Sequence, residues 1–221
     1  MKGLLIKDFS LLKNQKIFFL IILIQGVAFF GFGEQANISF AVSFITFIMC
    51  FFTVSTISYD EYNHGNAFLF SLPFSRKTYT AEKYVFGLLL GGVTWLAVCA
   101  VSSAVVYIRF PDTFSLQELF TTYPLYLAMA LCMEAVLIPF QLKFGGEKGR
   151  LALILFFVGL FLAGMLLIRV LKSCGIDLDA ILTSFSMHGA LTFALCILAF
   201  TAILFLLSLA LSIRIVEKKD F

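Results

Sequence analysis

Tyr59-Asp-Glu-Tyr-Asn-His-Gly-Asn-Ala-Phe-Leu-Phe-Ser-Leu-Pro-Phe-Ser-Arg-Lys-Thr-Tyr-Thr-Ala-Glu-Lys-Tyr84 is the longest polar break between the hydrophobic runs of this chain. No other stretch is as well suited to grip a water-soluble partner. Inside it, Asn66–Leu72 brings Phe68, Leu69 and Leu72 to one side of a short helix by i, i+1, i+4 spacing. Gly65 before it and Pro73 after it limit its length, because glycine is a weak helix former and proline cannot continue a helix. Ser75 then supplies an N-cap for a new helix. A bounded helix between two apolar runs is either an idle connector or a docking peg, and residues 59–80 alone leave both readings open.

The flanking composition decides the class. The chain is 61% hydrophobic with 28 Phe in 221 residues, and its mean hydropathy is +1.02. Charged residues make up 13%, about half the share of a soluble domain. This much apolar side chain has to face lipid or other membrane helices. The net charge of +3 does not point to nucleic acid. The five cysteines, Cys50, Cys99, Cys132, Cys174 and Cys196, have no metal or CxxC spacing, so no metal site and no disulfide framework is expected.

A span needs roughly 17–25 apolar residues. Six stretches qualify: 17–33, 38–58, 85–108, 124–140, 151–168 and 189–213. Backbone in lipid must satisfy its own hydrogen bonds, so the expected fold is an all-α polytopic membrane protein with six helices in one domain. Thirteen of the sixteen Lys and Arg residues flank one set of ends. Only Arg109, Arg169 and Lys172 flank the other, which places both termini and residues 59–84 in the cytoplasm.

Residues 1–15 read as a helix lying in the interface, with Met1, Leu4, Leu5, Phe9 and Leu12 on one side. Asp8 falls on that apolar side and the pattern offers no reason for it. The second run carries Ser39, Ser43, Thr46, Cys50 and Thr53 at steps of four, three, four and three, which puts them in one stripe. The stripe fits close packing against a neighbour, the wall of a transport path, or a dimer seam that opens and closes. Gly87 and Gly91 form a GxxxG, and Gly159 and Ala163 a similar small-residue pair, both pointing to helix packing. Glu134 is the lone acid deep inside a run and needs protein or water around it; a transport role and a structural hydrogen bond are both open. Between the last two runs, 177–185 reads as a short amphipathic or re-entrant segment. There is no phosphate-binding GxxxxGK[ST] loop, HExxH or GxSxG, so this chain is not expected to be an enzyme.

Four features together resemble a known family. They are the opening Met1-Lys-Gly-Leu-Leu-Ile-Lys-Asp-Phe9, Tyr59-Asp-Glu61 after the second run, Ser71-Leu-Pro-Phe-Ser-Arg-Lys77 followed by Glu82-Lys83-Tyr84, and the excursion before the last run. They resemble a type-2 ATP-binding-cassette (ABC) exporter permease of the small six-span subfamily, similar to permeases that export phenol-soluble modulins or antimicrobial peptides. The resemblance implies a bacterial plasma-membrane protein that pairs with a second permease, as homodimer or heterodimer, and with two cytoplasmic ATPases. ATP and Mg would bind those ATPases and no cofactor this chain. It also implies that the segment around Phe68 is a coupling helix, with Asp60, Glu61, His64, Leu69 and Leu72 contributing to ATPase contact. An amphipathic or antimicrobial peptide is the expected cargo, and lipid or drug export is the alternative. A non-transporting assembly or sensor subunit and an intramembrane enzyme are the competing classes.

Overall fold

The computed structural model describes residues 2–62, 65–71, 73–111, 116–145 and 189–218, with isolated positions between 154 and 173. Among these residues every regular element is helical: α1 (Lys2–Asn14), α2 (Lys16–Phe32), α3 (Gln35–Glu61), α4 (Gly65–Leu69), α5 (Arg76–Arg109), α6 (Leu116–Phe144) and α7 (Ala190–Lys218). Four of them, α3, α5, α6 and α7, are long and apolar enough to cross a membrane. A bend of 66° separates α1 from α2, and the two count as a fifth candidate only if taken as one span. The 17 residues of α2 rise roughly 25 Å, at the short limit for a bilayer core. Of the expected span 151–168 only isolated positions are described, and the excursion at 177–185 and Ala163 lie outside the described residues.

Side-chain pairs fix the directions. Thr53 meets Glu134 and Gln141 meets Ser58, so α3 and α6 run parallel. Tyr84 meets Ser208 and Ser212 while Arg76 reaches the carbonyls of Val216 and Glu217, so α5 runs against α7. At the far end Arg109 donates to the carbonyls of Phe30 (2.9 Å) and Gly33 (3.2 Å). One end of the bundle therefore gathers α1, the end of α3, α4, the start of α5 and the ends of α6 and α7. α3 runs against α5, where Thr56 meets Lys83 and Cys50 lies beside Gly91, so α6 and α7 run parallel, with Ser208 on the Ala135 carbonyl between them.

The helices overshoot the apolar runs. α5 starts at Arg76, nine residues before the run at 85, because its first turns are packed rather than solvated: Tyr79, Thr80, Glu82, Lys83 and Tyr84 are all buried. Ser75 caps it as its sequence position suggests, its hydroxyl accepting from the Thr78 amide at 3.2 Å. The short helix differs from its expected span. It begins at Gly65 and ends at Leu69, where Ser71 N–H turns back to the Phe68 carbonyl at 3.1 Å. Gly65 is required for the corner, since a Cβ there would lie 2.7 Å from the Asp60 carbonyl oxygen.

The largest core cluster joins five elements through Ile57, Leu69, Tyr79, Ile138, Phe205 and Val216. A second holds α1 and α2 on α3 and α5, with Leu5 and Leu12 against Phe52 and Phe86, and Phe9 edge-on to Phe86. The outward faces remain apolar, with Leu23 and Leu206 both more than 60% exposed, as lipid contact demands.

Tyr84 is the polar rivet between α5 and α7, its hydroxyl 2.6 Å from Ser208 Oγ and 2.7 Å from Ser212 Oγ. Tyr84→Phe leaves those hydroxyls a partner short and is expected to cost about 1–3 kcal/mol. A lowered melting temperature of the purified protein checks this, with Tyr62→Phe, on an exposed position, as the neutral comparison.

Candidate functional site

Asp8, unexplained on the apolar side of α1, is fully buried against Lys83 of α5. The Lys83 ammonium lies 2.5 Å from Asp8 and 2.8 Å from Asp60, and donates to Thr56 Oγ1 at 3.2 Å. Lys7 closes the ring, 3.0 Å from Asp8 and hydrogen-bonded to Asp60. Tyr79 donates to the other Asp60 oxygen at 3.2 Å. An ionised group this deep is tolerated only when its charge is paired and its hydrogen bonds are made. Burial pulls the pKa of the Lys7 ammonium down, but Asp60 and Asp8 pull it up further, so it lies above the ordinary lysine value and Lys7 stays charged. Glu82 is buried beside the ring, 4.0 Å from Lys83.

This ring joins α1, α3 and α5 directly under α4. The residues expected to meet an ATPase divide accordingly. Phe68 points outward and is 72% exposed, whereas Leu69 is 8% exposed and belongs to the largest core cluster. Asp60 does not face solvent: its carboxylate is committed to Lys83, Lys7 and Tyr79. Glu61 approaches Gly145 at the end of α6, where a Cβ would lie 3.1 Å from its carboxylate. His64 and Leu72 lie outside the described residues.

The α3 stripe, the GxxxG of α5 and Glu134 of α6 meet at one buried locus. Thr53 donates to Glu134 Oε1 at 3.1 Å, and the Cys50 thiol donates to the same carboxylate. Among the described residues no cation pairs with Glu134. A Cβ on Gly87 would come within 2.4 Å of Glu134 Oε1, and one on Gly91 within 2.5 Å of Cys50 Sγ. The two glycines therefore make room for polar side chains rather than for a helix backbone. Thr46 returns its hydroxyl to the Val42 carbonyl at 2.7 Å and Ser43 to that of Phe40 at 2.8 Å, while Ser39 bonds Tyr126. Thr46, Cys50 and Thr53 are buried within the single chain. Gly159 has no neighbour within 4 Å among the described residues.

Sequence reasoning missed the ring's two essential members, Asp8 and Lys83. The signal was present: an acid on an apolar face requires a cation, and Lys83 lies in the segment that resembles the family motif. It also missed Gln141, whose amide donates to Ser58 at 2.9 Å; a lone Gln near a helix end carries no pattern.

Comparison with known proteins decides the family. Residues 3–217 match the family described as ABC-2 family transporter protein. The chain belongs to the ABC-2 transporter family. No curated protein and no solved structure matches it. As an ABC-2 permease it is the membrane-embedded transport subunit of an ABC transporter, and it works with an ABC ATPase rather than catalysing a reaction itself. In this permease the buried ring and the outward Phe68 lie on the same end of the bundle.

Two predictions follow from these contacts. Lys83→Met leaves two buried carboxylates to share the Lys7 ammonium and is expected to cost about 3–5 kcal/mol, whereas Lys77→Ala, which breaks only the exposed 3.3 Å pair with Glu217, should cost no more than about 1 kcal/mol. Thermal unfolding of the two purified variants measures the contrast. Gly87→Ala presses a methyl group on Glu134 and should destabilise by roughly 1–3 kcal/mol, while Gly92→Ala, with open space around it, should not. Most of the Gly87→Ala penalty should vanish in a Glu134→Ala background, which a double-mutant cycle reads directly.

Proposed function

We propose that this permease is half of an exporter's membrane domain, pairing with a second permease of the same kind and coupled to two cytoplasmic ATPases through α4. The charge bias of the sequence supports placing the charged end of the bundle, with both termini, in the cytoplasm of a bacterial cell. The directions of α6 and α7 support a sixth crossing between Gly145 and Gly189, for which 151–168 is the apolar candidate. The observation that carries the reading is Phe68. A large aromatic held 72% exposed on a helix outside the spans gains stability when a partner covers it. Covering one such side chain is worth roughly 1.5–3 kcal/mol.

The geometry suggests how force passes on. Leu69 roots α4 in the core cluster, and the ring beneath ties the same end to α1 and α5. Displacement of α4 by closing ATPases would therefore move α1, α3 and α5 together. ATP shifts the permease between inward- and outward-facing states only if it binds those states with different affinity. In that cycle the locus of Cys50, Thr53 and Glu134 is the seam whose opening would wet the stripe running up to Ser39. The proposed cargo is an amphipathic or antimicrobial peptide, consistent with a bundle whose polar groups are few and buried.

Phe68→Asp is expected to leave the permease folded, since the side chain is exposed, and to release the ATPase on co-purification. Transport should fall with it while ATP hydrolysis persists uncoupled. Leu69→Asp instead should unfold the end of the bundle, because its charge is trapped in the core. Full ATPase recovery with Phe68→Asp refutes α4 as the coupling helix.

A further inference from the structure

A cavity of about 760 Å³ opens between α2 and α3, within the range of roughly 300–1,000 Å³ typical of small-molecule sites. Its walls change character along α3. Phe47, Ile48 and Phe51 line the part farther from the charged end; Ser55, Ser58 and Tyr59 follow toward it. At that end Gln15, from the bend between α1 and α2, donates to the Tyr59 hydroxyl at 3.1 Å. Gln141 of α6 also lines the cavity, is fully buried, and donates through Nε2 to Ser58. Its Oε1 is buried with no hydrogen-bond partner among the described residues. A buried amide oxygen left unpaired is costly, and a ligand that donates to it removes that cost.

None of the described residues lining the cavity is charged. A phosphate or carboxylate head would be desolvated there without a counter-ion, which is unfavourable. An alkyl chain of the bilayer meets no such penalty, since it exchanges lipid tails for phenylalanines of similar polarity. We infer that this cavity is a binding site for a single-chain amphiphile of the membrane, its alkyl tail between Phe47 and Phe51 and an uncharged, hydrogen-bond-donating head on Gln141. The inference rests on the cavity alone and stands whether or not the cargo is a peptide.

The probe is a monoacylglycerol carrying a diazirine on its acyl chain, added to the permease in nanodiscs and mapped after photolysis by peptide mass spectrometry. Labelling is expected in the α3 segment 47–59, with monoolein competing at least tenfold better than oleate or lysophosphatidylglycerol. Gln141→Leu should weaken labelling about tenfold, the loss of one buried hydrogen bond. Ser58 keeps a hydroxyl bond to the Val54 carbonyl in that variant, and an unchanged gel-filtration profile verifies the fold. Ser55→Trp should fill the cavity and abolish labelling. Equal labelling of the lipid-facing side of α7 overturns the inference, as does equal competition by the charged amphiphiles. So does labelling that survives Gln141→Leu. A disulfide-linked dimer formed through Phe51→Cys, with labelling lost, would place a second copy in the cavity and overturn it too. ATPase co-purification in Gln141→Leu should match the wild type, which separates a failure here from a failure of the coupling assignment.

Discussion

A lysine ammonium with no access to water is the constraint from which the charged end of this permease is built. Lys83 must be neutralised where it stands, and the two carboxylates that do so come from different places in the chain. Asp8 lies on the first helix and Asp60 at the end of the second long one. Neither helix can leave without exposing an unpaired buried charge, which costs several kcal/mol. The amphipathic α1 is thereby fixed to the bundle and not merely floating in the interface. Apolar contacts alone, such as Phe9 on Phe86, would hold it by area but would not specify its register.

The same logic, at lower charge, organises the middle of the bundle. Glu134 enters an apolar interior because Gly87 leaves it space and Thr53 and Cys50 supply hydrogen bonds. Three helices are in register there through polar atoms rather than through close-packed backbones. Thr56 connects the two levels. Its hydroxyl donates to the Thr53 carbonyl at 2.8 Å and accepts from Lys83. A shift of the ring is thus felt one helical turn deeper, at the residue that holds Glu134.

Much of this was legible in the sequence, and what was not has identifiable causes. The all-helical membrane class followed from hydropathy, because lipid leaves the backbone few options. The N-cap at Ser75 followed from local chemistry. The end of the short helix was harder: it stops at Leu69 rather than Leu72, because Leu69 is drawn into a core of residues distant in sequence, which local propensity does not register. The stripe, the GxxxG and Glu134 were each visible, but their meeting point depends on the relative rotation of three helices. The ion pairs of Asp60 were not legible, because an acid beside a polar break gives no sign of which cation will meet it. Asp8 carried the missing information as an anomaly that periodicity alone could not resolve.

The central claim is that α1 is held to the bundle by charge rather than by lipid, as part of one block at the charged end with α4 and the start of α5. Amide hydrogen exchange of the intact permease in nanodiscs, comparing wild type with Asp8→Asn, tests it most directly. The account predicts that amides of Lys2–Asn14 are protected to the level of the first turns of α5 in the wild type. It predicts that Asp8→Asn lifts protection in α1 and around Lys83 while α6 and α7 keep theirs. Rapid exchange of α1 in the wild type, or protection of α1 that Asp8→Asn leaves unchanged, would contradict it.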